Sequence, residues 1–276
     1  MPIQFFGKTD IGSVRDTNQD NFFADYLDCG IDEQVFLAVV CDGMGGASGG
    51  SFASSLAIKT FVSELCAGLK NVSEEKLSID SCELLLSYAA KCANSAVYNA
   101  AQSNSELHGM GTTLVGMMVF RNTVYALNIG DSRLYVLAED GMCKLTRDHS
   151  YVQALVDQGK ISEAEAKVHP NKNVIMRAVG TDAEVAADFF KILPDRKSFL
   201  LCSDGLSNFV DDISMEKIIV ESDSVREAVN TLIERQTPQA AATTSPQFSS
   251  DFKHTEERIW NVTSSISARP LTANIP

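Results

Sequence analysis

Three apolar runs in this chain each end in an aspartate flanked by glycine or serine. Residues 35–41 lead into Asp42-Gly43, residues 124–129 into Gly130-Asp131-Ser132, and residues 198–202 into Ser203-Asp204-Gly205. A less apolar fourth case is Asn18-Gln19-Asp20. A buried strand that ends in a bare carboxylate has a charge to neutralise, and several such strands in one domain suggest that the carboxylates converge. Two carboxylates about 4 Å apart repel by about 1 kcal/mol in water and by several times that beside protein. With ordinary pKa values near ~3.9 they stay ionised at neutral pH. A hard divalent cation is the usual remedy, since Mg²⁺ and Mn²⁺ take carboxylate oxygens. The chain reads first as a metal centre built from strand-end aspartates.

The 276 residues are 45% hydrophobic and 21% charged, enough for one large globular domain. A net charge of -13 argues against a nucleic-acid surface. The seven cysteines form no Cys-x-x-Cys pair and mostly lie in apolar runs, so they read as reduced thiols. No signal peptide is visible at the N-terminus. No apolar stretch approaches the ~20 residues of a membrane helix. These features predict a cytoplasmic chain with no membrane partner.

Strand patterns cover 22–26 and 35–41, then helices from residue 51 and over 77–102. Phe52, Leu56, Phe61 and Leu65 fall at helical spacing in the first helix, and Leu84, Tyr88, Cys92 and Val97 in the second. Strands are expected again over 112–120, 123–129, 133–138, 186–193 and 198–202, with a hairpin turn at Asp140-Gly141. A helical insert at 149–173 carries a capping-box start, Ser162-x-x-Glu165. Helices near 214–220 and 224–234 follow, and the mixture implies α+β layering. After residue 235 the chain turns rich in Ser, Thr, Ala, Gln and Pro and reads as a disordered tail.

The glycine-rich run 42–50 opens a helix after a strand, as a dinucleotide loop would. Asp42 at the strand end would repel a pyrophosphate, which leaves a tight turn or a metal site as the better readings. Several motifs occur in a fixed order: Arg15-x-x-Asn18-Gln19-Asp20, Asp42-Gly43-Met44-Gly45-Gly46, Gly111-Thr112-Thr113, Gly130-Asp131-Ser132-Arg133, His169-Pro170 with Asn173, Arg177-Ala178-x-Gly180, and Ser203-Asp204-Gly205. Together they closely resemble the bacterial branch of the PPM family, the metal-dependent type 2C serine/threonine protein phosphatases.

That resemblance implies a four-layer α-β-β-α sandwich spanning residues 1–235, with two core Mn²⁺ or Mg²⁺ ions at one end of the sheets. It implies Asp20, Asp42, the Gly43 carbonyl and Asp204 as core-metal ligands. Asp131, shared with Asp204, would hold a looser third ion, weakened because Asn208 stands where many relatives carry aspartate. Arg15 resembles the arginine that grips substrate phosphate, and the insert resembles a flap over the site, with His149 and His169 structural in it. Met44 occupies the place of a histidine proposed as general acid in animal members. The implied activity is hydrolysis of phosphoserine and phosphothreonine in proteins, substrates of a serine/threonine kinase, by a metal-activated water; the implied state is a monomer.

One ligand of the family pattern is missing. Gly-Gly-x-Asp-Asn-Ile/Leu-Thr, whose aspartate binds a core metal, does not occur after Glu234. Read one base out of register, codons from Gln239 onward are compatible with Gly-Gly-Ser-Asp-Asn-Ile-Thr-Ala-Val. This points to a frameshift near residues 233–234 and makes 236–276 an out-of-frame tail that replaces the last core strand; natural divergence is the other reading. A chain short of that aspartate could also be a pseudophosphatase that binds phosphoproteins without turnover.

Overall fold

The computed structural model describes residues 3–11, 17–46, 49–72, 79–193, 198–235 and 258–262. One sheet is antiparallel and runs β2 (Asp20–Leu27), β3 (Val35–Met44), β5 (Leu114–Phe120), β6 (Thr123–Ile129), β9 (Asp188–Ile192), with the short β4 (Gly111–Thr112) paired to the end of β3. The other runs β1 (Gln4–Lys8), β11 (Arg258–Val262), β10 (Ser198–Cys202), β7 (Arg133–Ala138), β8 (Gly141–Lys144). Helices α1 (Gly49–Asn71) and α2 (Ile79–Ser103) cover the first sheet, and α6 (Asp212–Glu221) and α7 (Val225–Arg235) the second. This is the four-layer α+β sandwich expected from the sequence.

The continuous apolar run of β3 follows from its place in the middle. Successive side chains of a strand point to opposite faces, and both faces of β3 are covered. Val35, Leu37, Val39 and Cys41 face the helices with Phe61, Leu65 and Leu86. Phe36, Ala38 and Val40 face the other sheet with Leu134, Phe199 and Leu201. Each such fully buried Val, Leu or Phe side chain stabilises the fold by roughly 1.5–3 kcal/mol. A strand held this firmly is a rigid mount for the aspartate at its end.

Two helix faces differ from the expectation. In α2, Leu84 and Tyr88 are exposed; the buried stripe is Cys82, Leu86, Ala89, Ala90, Ala93, Val97 and Ala101. Small residues win that face because α1 lies close: a Cβ placed on Gly68 would come within 2.5 Å of Leu85. Bulk-based periodicity overlooks a seam made of alanines. In α1, Phe61 and Leu65 are buried as expected, but Phe52 is 46% exposed. α1 is also long and apolar enough by length and composition to cross a membrane, contrary to the sequence reading. Its apolar stripe is part of the core against the first sheet.

The tail differs as well. The expectation was a disordered, out-of-frame tail from residue 236 standing where the last core strand would be. Residues 258–262 instead form β11, inserted between β1 and β10 and parallel to both. Arg-Ile-Trp-Asn-Val has the β-branched and aromatic content that strands favour. Residues 236–257 and 263–276 lie outside the described residues.

The insert forms α3 (Tyr151–Asp157) and α4 (Glu163–Val168). Ser162 accepts a hydrogen bond from the Glu165 N–H, and the Glu165 carboxylate accepts from Ser162 N–H at 2.8 Å, completing the capping box. Its base is closed by a bridge between Ser150 and Ile175, and the chain leaving it is bridged to β4 through Thr112 and Val179.

Candidate metal centre

Asp20 opens β2 and Asp42 lies near the end of β3, and the two are direct cross-strand partners. Partners of an antiparallel pair project to the same face with Cβ atoms about 4.5–5.5 Å apart, so the register alone makes the two carboxylates neighbours. Asp204, in the first turn of the short helix α5 (Asp204–Ser207), arrives from the second sheet through β10. Asp42 shares hydrogen bonds with both Asp20 and Asp204. Burial, then the negative charges of Asp20 and Asp204, hold the Asp42 carboxyl well above the usual carboxylate range.

Each of the three is oriented by a neighbour. Ser203 Oγ donates to Asp20 Oδ2 at 2.7 Å. Asn208 Nδ2 donates to Asp204 Oδ2 at 3.1 Å. The backbone of Asp42 is clamped on both sides: its N–H donates to Thr113 Oγ1, and its carbonyl accepts from Thr113 N–H and Thr112 Oγ1, all at 2.9 Å. The Thr112-Thr113 pair is thus a positioning element, a role its presence in a motif did not disclose.

The glycines beside Asp42 are there for close approach. A Cβ on Gly43 would sit 2.0 Å from the Gly50 carbonyl oxygen, where the first turn of α1 crosses the end of β3. Gly43 N–H donates to Gln19 O at 3.0 Å, joining the two ligand-bearing strands beyond their paired residues. Gly45, at φ +116°, takes a backbone conformation open to glycine, with Met110 Cα only 2.7 Å from where a Cβ would be.

Asp131 stands at the turn between β6 and β7, 9% exposed, and its Oδ1 is buried with no hydrogen-bond partner. Burial, then the charges of Asp204 and Asp148, push its carboxyl up to about 7. An orphaned buried carboxylate oxygen costs free energy, and a cation is the partner its chemistry suits. Hard oxygen donors, like-charge crowding and that orphaned oxygen together fit divalent ions. Among the described residues no three His, Cys, Asp or Glu side chains are gathered into a closed ligand shell, so the arrangement is a chain of contacts centred on Asp42. Arg15 lies outside the described residues.

His149, read from the sequence as a structural flap residue, joins four segments. Its Nδ1 accepts from Gly130 N–H at 3.0 Å and its own N–H donates to Gly130 O at 2.9 Å. Its carbonyl accepts from Met176 N–H at 2.7 Å. A neutral ring with Nδ1 accepting carries its proton on Nε2, 3.1 Å from Asp188 Oδ2. Arg177 Nη1 lies 2.9 Å from the same nitrogen and 2.9 Å from Asp188 Oδ1. The ring therefore ties both ends of the flap to the turn that carries Asp131. No periodicity or spacing reveals this, because the partners lie far away in sequence and some are backbone groups.

Burial, aided by the Arg177 charge and opposed by Asp188, lowers the His149 pKa from its ordinary value. The folded state then binds fewer protons at this ring than the unfolded chain. The contribution of His149 to stability is full above the ordinary histidine pKa of about 6.5 and falls as pH drops below it. His149→Phe, of similar bulk, should cost about 1–3 kcal/mol at neutral pH by leaving Gly130 N–H unpaired. Urea unfolding from pH 7.5 to 5.5 checks both points. Asp42 and Asp131, with raised values, contribute with the opposite sign, so the difference between wild type and variant is the quantity to read. A gap that stays constant with pH would remove the ring's titration from the account.

Residues 13–245 match the Protein phosphatase 2C family. A serine/threonine phosphatase, Stp, of Listeria innocua is 36% identical over 230 residues, 82% of this chain and 86% of that protein. The serine/threonine protein phosphatase PstP of Mycobacterium tuberculosis is 32% identical over 85% of this chain and 42% of its own length. The crystal structure of Stp1 from Staphylococcus aureus superposes with a TM-score of 0.73 at 33% identity, covering 86% of this chain and 91% of that one. The chain belongs to the protein phosphatase 2C family.

Proposed function

We propose that this chain hydrolyses phosphoserine and phosphothreonine in proteins with the help of two Mn²⁺ or Mg²⁺ ions, in the cytoplasm and as a monomer. In this reading Asp20, Asp42, Asp204 and the Gly43 carbonyl hold the core pair, and Asp131 with Asp204 a weaker third ion. The carrying observation is the convergence of the Asp20 and Asp204 carboxyls on Asp42, whose own carboxyl is held well above its ordinary range. A cluster of negative charge cannot by itself receive a phosphate dianion. When bound, the cations supply that neutralisation and a nucleophile drawn from water at neutral pH.

The chain's own residues set the stage. Ser203, Asn208 and the Thr112-Thr113 pair orient the three carboxylates, and such outer contacts typically govern metal affinity 10–100-fold. Arg15 offers a planar fork to phosphate oxygens. Met44 carries no titratable group, so protonation of the leaving alcohol falls to water or another side chain. The relatives are named as phosphatases, which favours turnover over a purely phosphate-binding role.

The test is hydrolysis of an aryl phosphate and of a phosphothreonine peptide across a Mn²⁺ titration, with a chelator as control. Turnover that survives chelation, or tight peptide binding with no turnover at saturating Mn²⁺, would overturn the proposal. Arg15→Ala should raise KM for phosphosubstrates about tenfold or more while kcat moves little, because the contact is made in ground and transition states alike. A collapsed kcat at unchanged KM would remove Arg15 from phosphate binding.

A further inference from the structure

Far along α1 from the carboxylates, two thiols meet. Cys29 lies in the connection 28–34 between β2 and β3, is 1% exposed, and places its Sγ 2.8 Å from Sγ of Cys66 on α1. Cys66 is only partly buried, unlike Cys29. Lys70, one helical turn further on, passes over Gly30, with its Cε 3.8 Å from where a Cβ of Gly30 would be. The Cys29 hydrogen bond, aided by the Lys70 charge and opposed by burial and Asp28, lowers the Cys66 pKa; the same hydrogen bond, then burial, raises that of Cys29. The shared hydrogen bond and the Lys70 charge thus favour loss of a proton from Cys66 over Cys29. The other buried thiols, Cys41, Cys82 and Cys202, are pushed up mainly by burial, Cys202 to about 12.

We propose that Cys29 and Cys66 form a peroxide-oxidisable dithiol, a modification site that closes a disulfide between the 28–34 connection and α1. The oxidant class is a hydroperoxide. The Cys66 thiolate attacks the peroxide, breaking the O–O bond to give a sulfenic acid and, with hydrogen peroxide, water once the released hydroxide takes a proton. Cys29 then attacks the sulfenic sulfur as thiolate; the S–S bond forms, the S–O bond breaks, and a second water leaves with the Cys29 proton. Two thiols are oxidised, one peroxide is reduced, and a thiol reductant restores the pair. The bridge spans 37 residues of sequence and encloses β3 and the first turns of α1, the unit that carries Asp42 and packs against Gly43. Oxidation therefore braces the scaffold of the site without touching its carboxylates.

The experiment uses full-length protein carrying Cys143→Ser, which removes the exposed thiol and its intermolecular chemistry. Hydrogen peroxide should lower the thiol count of the denatured protein from six to four. A non-reducing digest should contain a Cys29–Cys66 cross-linked peptide lighter by two hydrogen atoms than the sum of its parts. The melting temperature should rise by about 5–10 °C and return on reduction. Adding Cys66→Ser, at a half-exposed position, should keep all five remaining thiols and abolish the rise. An unchanged thiol count, a Cys66 sulfinic acid with Cys29 still a thiol, or thiol loss that persists in the Cys66→Ser protein would each overturn the assignment. The digest of the Cys143→Ser parent decides the matter even if the second substitution impairs folding.

Discussion

Asp42→Asn is expected to abolish metal-dependent phosphate hydrolysis, with a loss in kcat/KM of more than about 100-fold, while the metal-free fold becomes no less stable. Partners that merely orient a metal ligand are worth 10–100-fold, and under the proposed function Asp42 itself holds the core pair, so its loss should exceed that range. The stability half of the expectation comes from the same crowding. In the metal-free protein the Asp42 carboxyl is pressed by burial and by the charges of Asp20 and Asp204. A neutral amide of equal size relieves that repulsion and can still hydrogen-bond. The variant should therefore melt at or above wild type in chelator and lose most of the increase that Mn²⁺ gives wild type. Ligands that bind only the native state stabilise by RT ln(1 + [L]/Kd), so the missing increase measures the missing affinity directly. A variant that keeps both the Mn²⁺-dependent rate and the Mn²⁺-dependent rise would take Asp42 out of the site.

How much of this was legible in the sequence depended on the physical signal each element carries. β3 could be read because seven apolar residues in a row admit few explanations, and Asp42 because a charge ends that run. The capping box of α4 could be read because Ser162 and Glu165 act at fixed local spacing. The α2 stripe could not: alanines at 89, 90 and 93 are chosen by the nearness of α1, whereas exposed Leu84 and Tyr88 carry the bulk that periodicity counts. Asp20, Asp42 and Asp204 were legible as ligand types, but their mutual contact depends on register and on two sheets meeting. His149 and the Cys29–Cys66 contact join residues distant in sequence through backbone groups or thiols, and no local pattern marks them. β11 follows a segment of little apolar content, which hid a short strand-forming run inside a polar tail.

That strand bears on the remaining prediction. A protein restored to the inferred frame after residue 234, ending in Gly-Gly-Ser-Asp-Asn-Ile-Thr-Ala-Val, should bind Mn²⁺ at least about tenfold more tightly and turn over faster at limiting Mn²⁺ than the chain as it stands. The added aspartate gives the core pair a further carboxylate, and ligand loss should cost at least what loss of an outer partner does. Stability is a separate matter. Without any strand between β1 and β10 the second sheet would be split and neighbouring backbone groups unpaired, at about 1–3 kcal/mol for each group left buried and unsatisfied. Here β11 occupies that place and pairs with both neighbours. The two proteins should consequently differ strongly in Mn²⁺ affinity and only modestly in melting temperature in chelator. Deleting residues 258–262 from the present chain should lower its melting temperature sharply, because β1 then loses its described pairing partner. Calorimetric Mn²⁺ titrations and thermal melts of the three proteins separate the terms. Equal Mn²⁺ affinity in the restored and present chains would dismiss the missing ligand, and an unchanged melt after deletion would show that the sheet does not depend on β11.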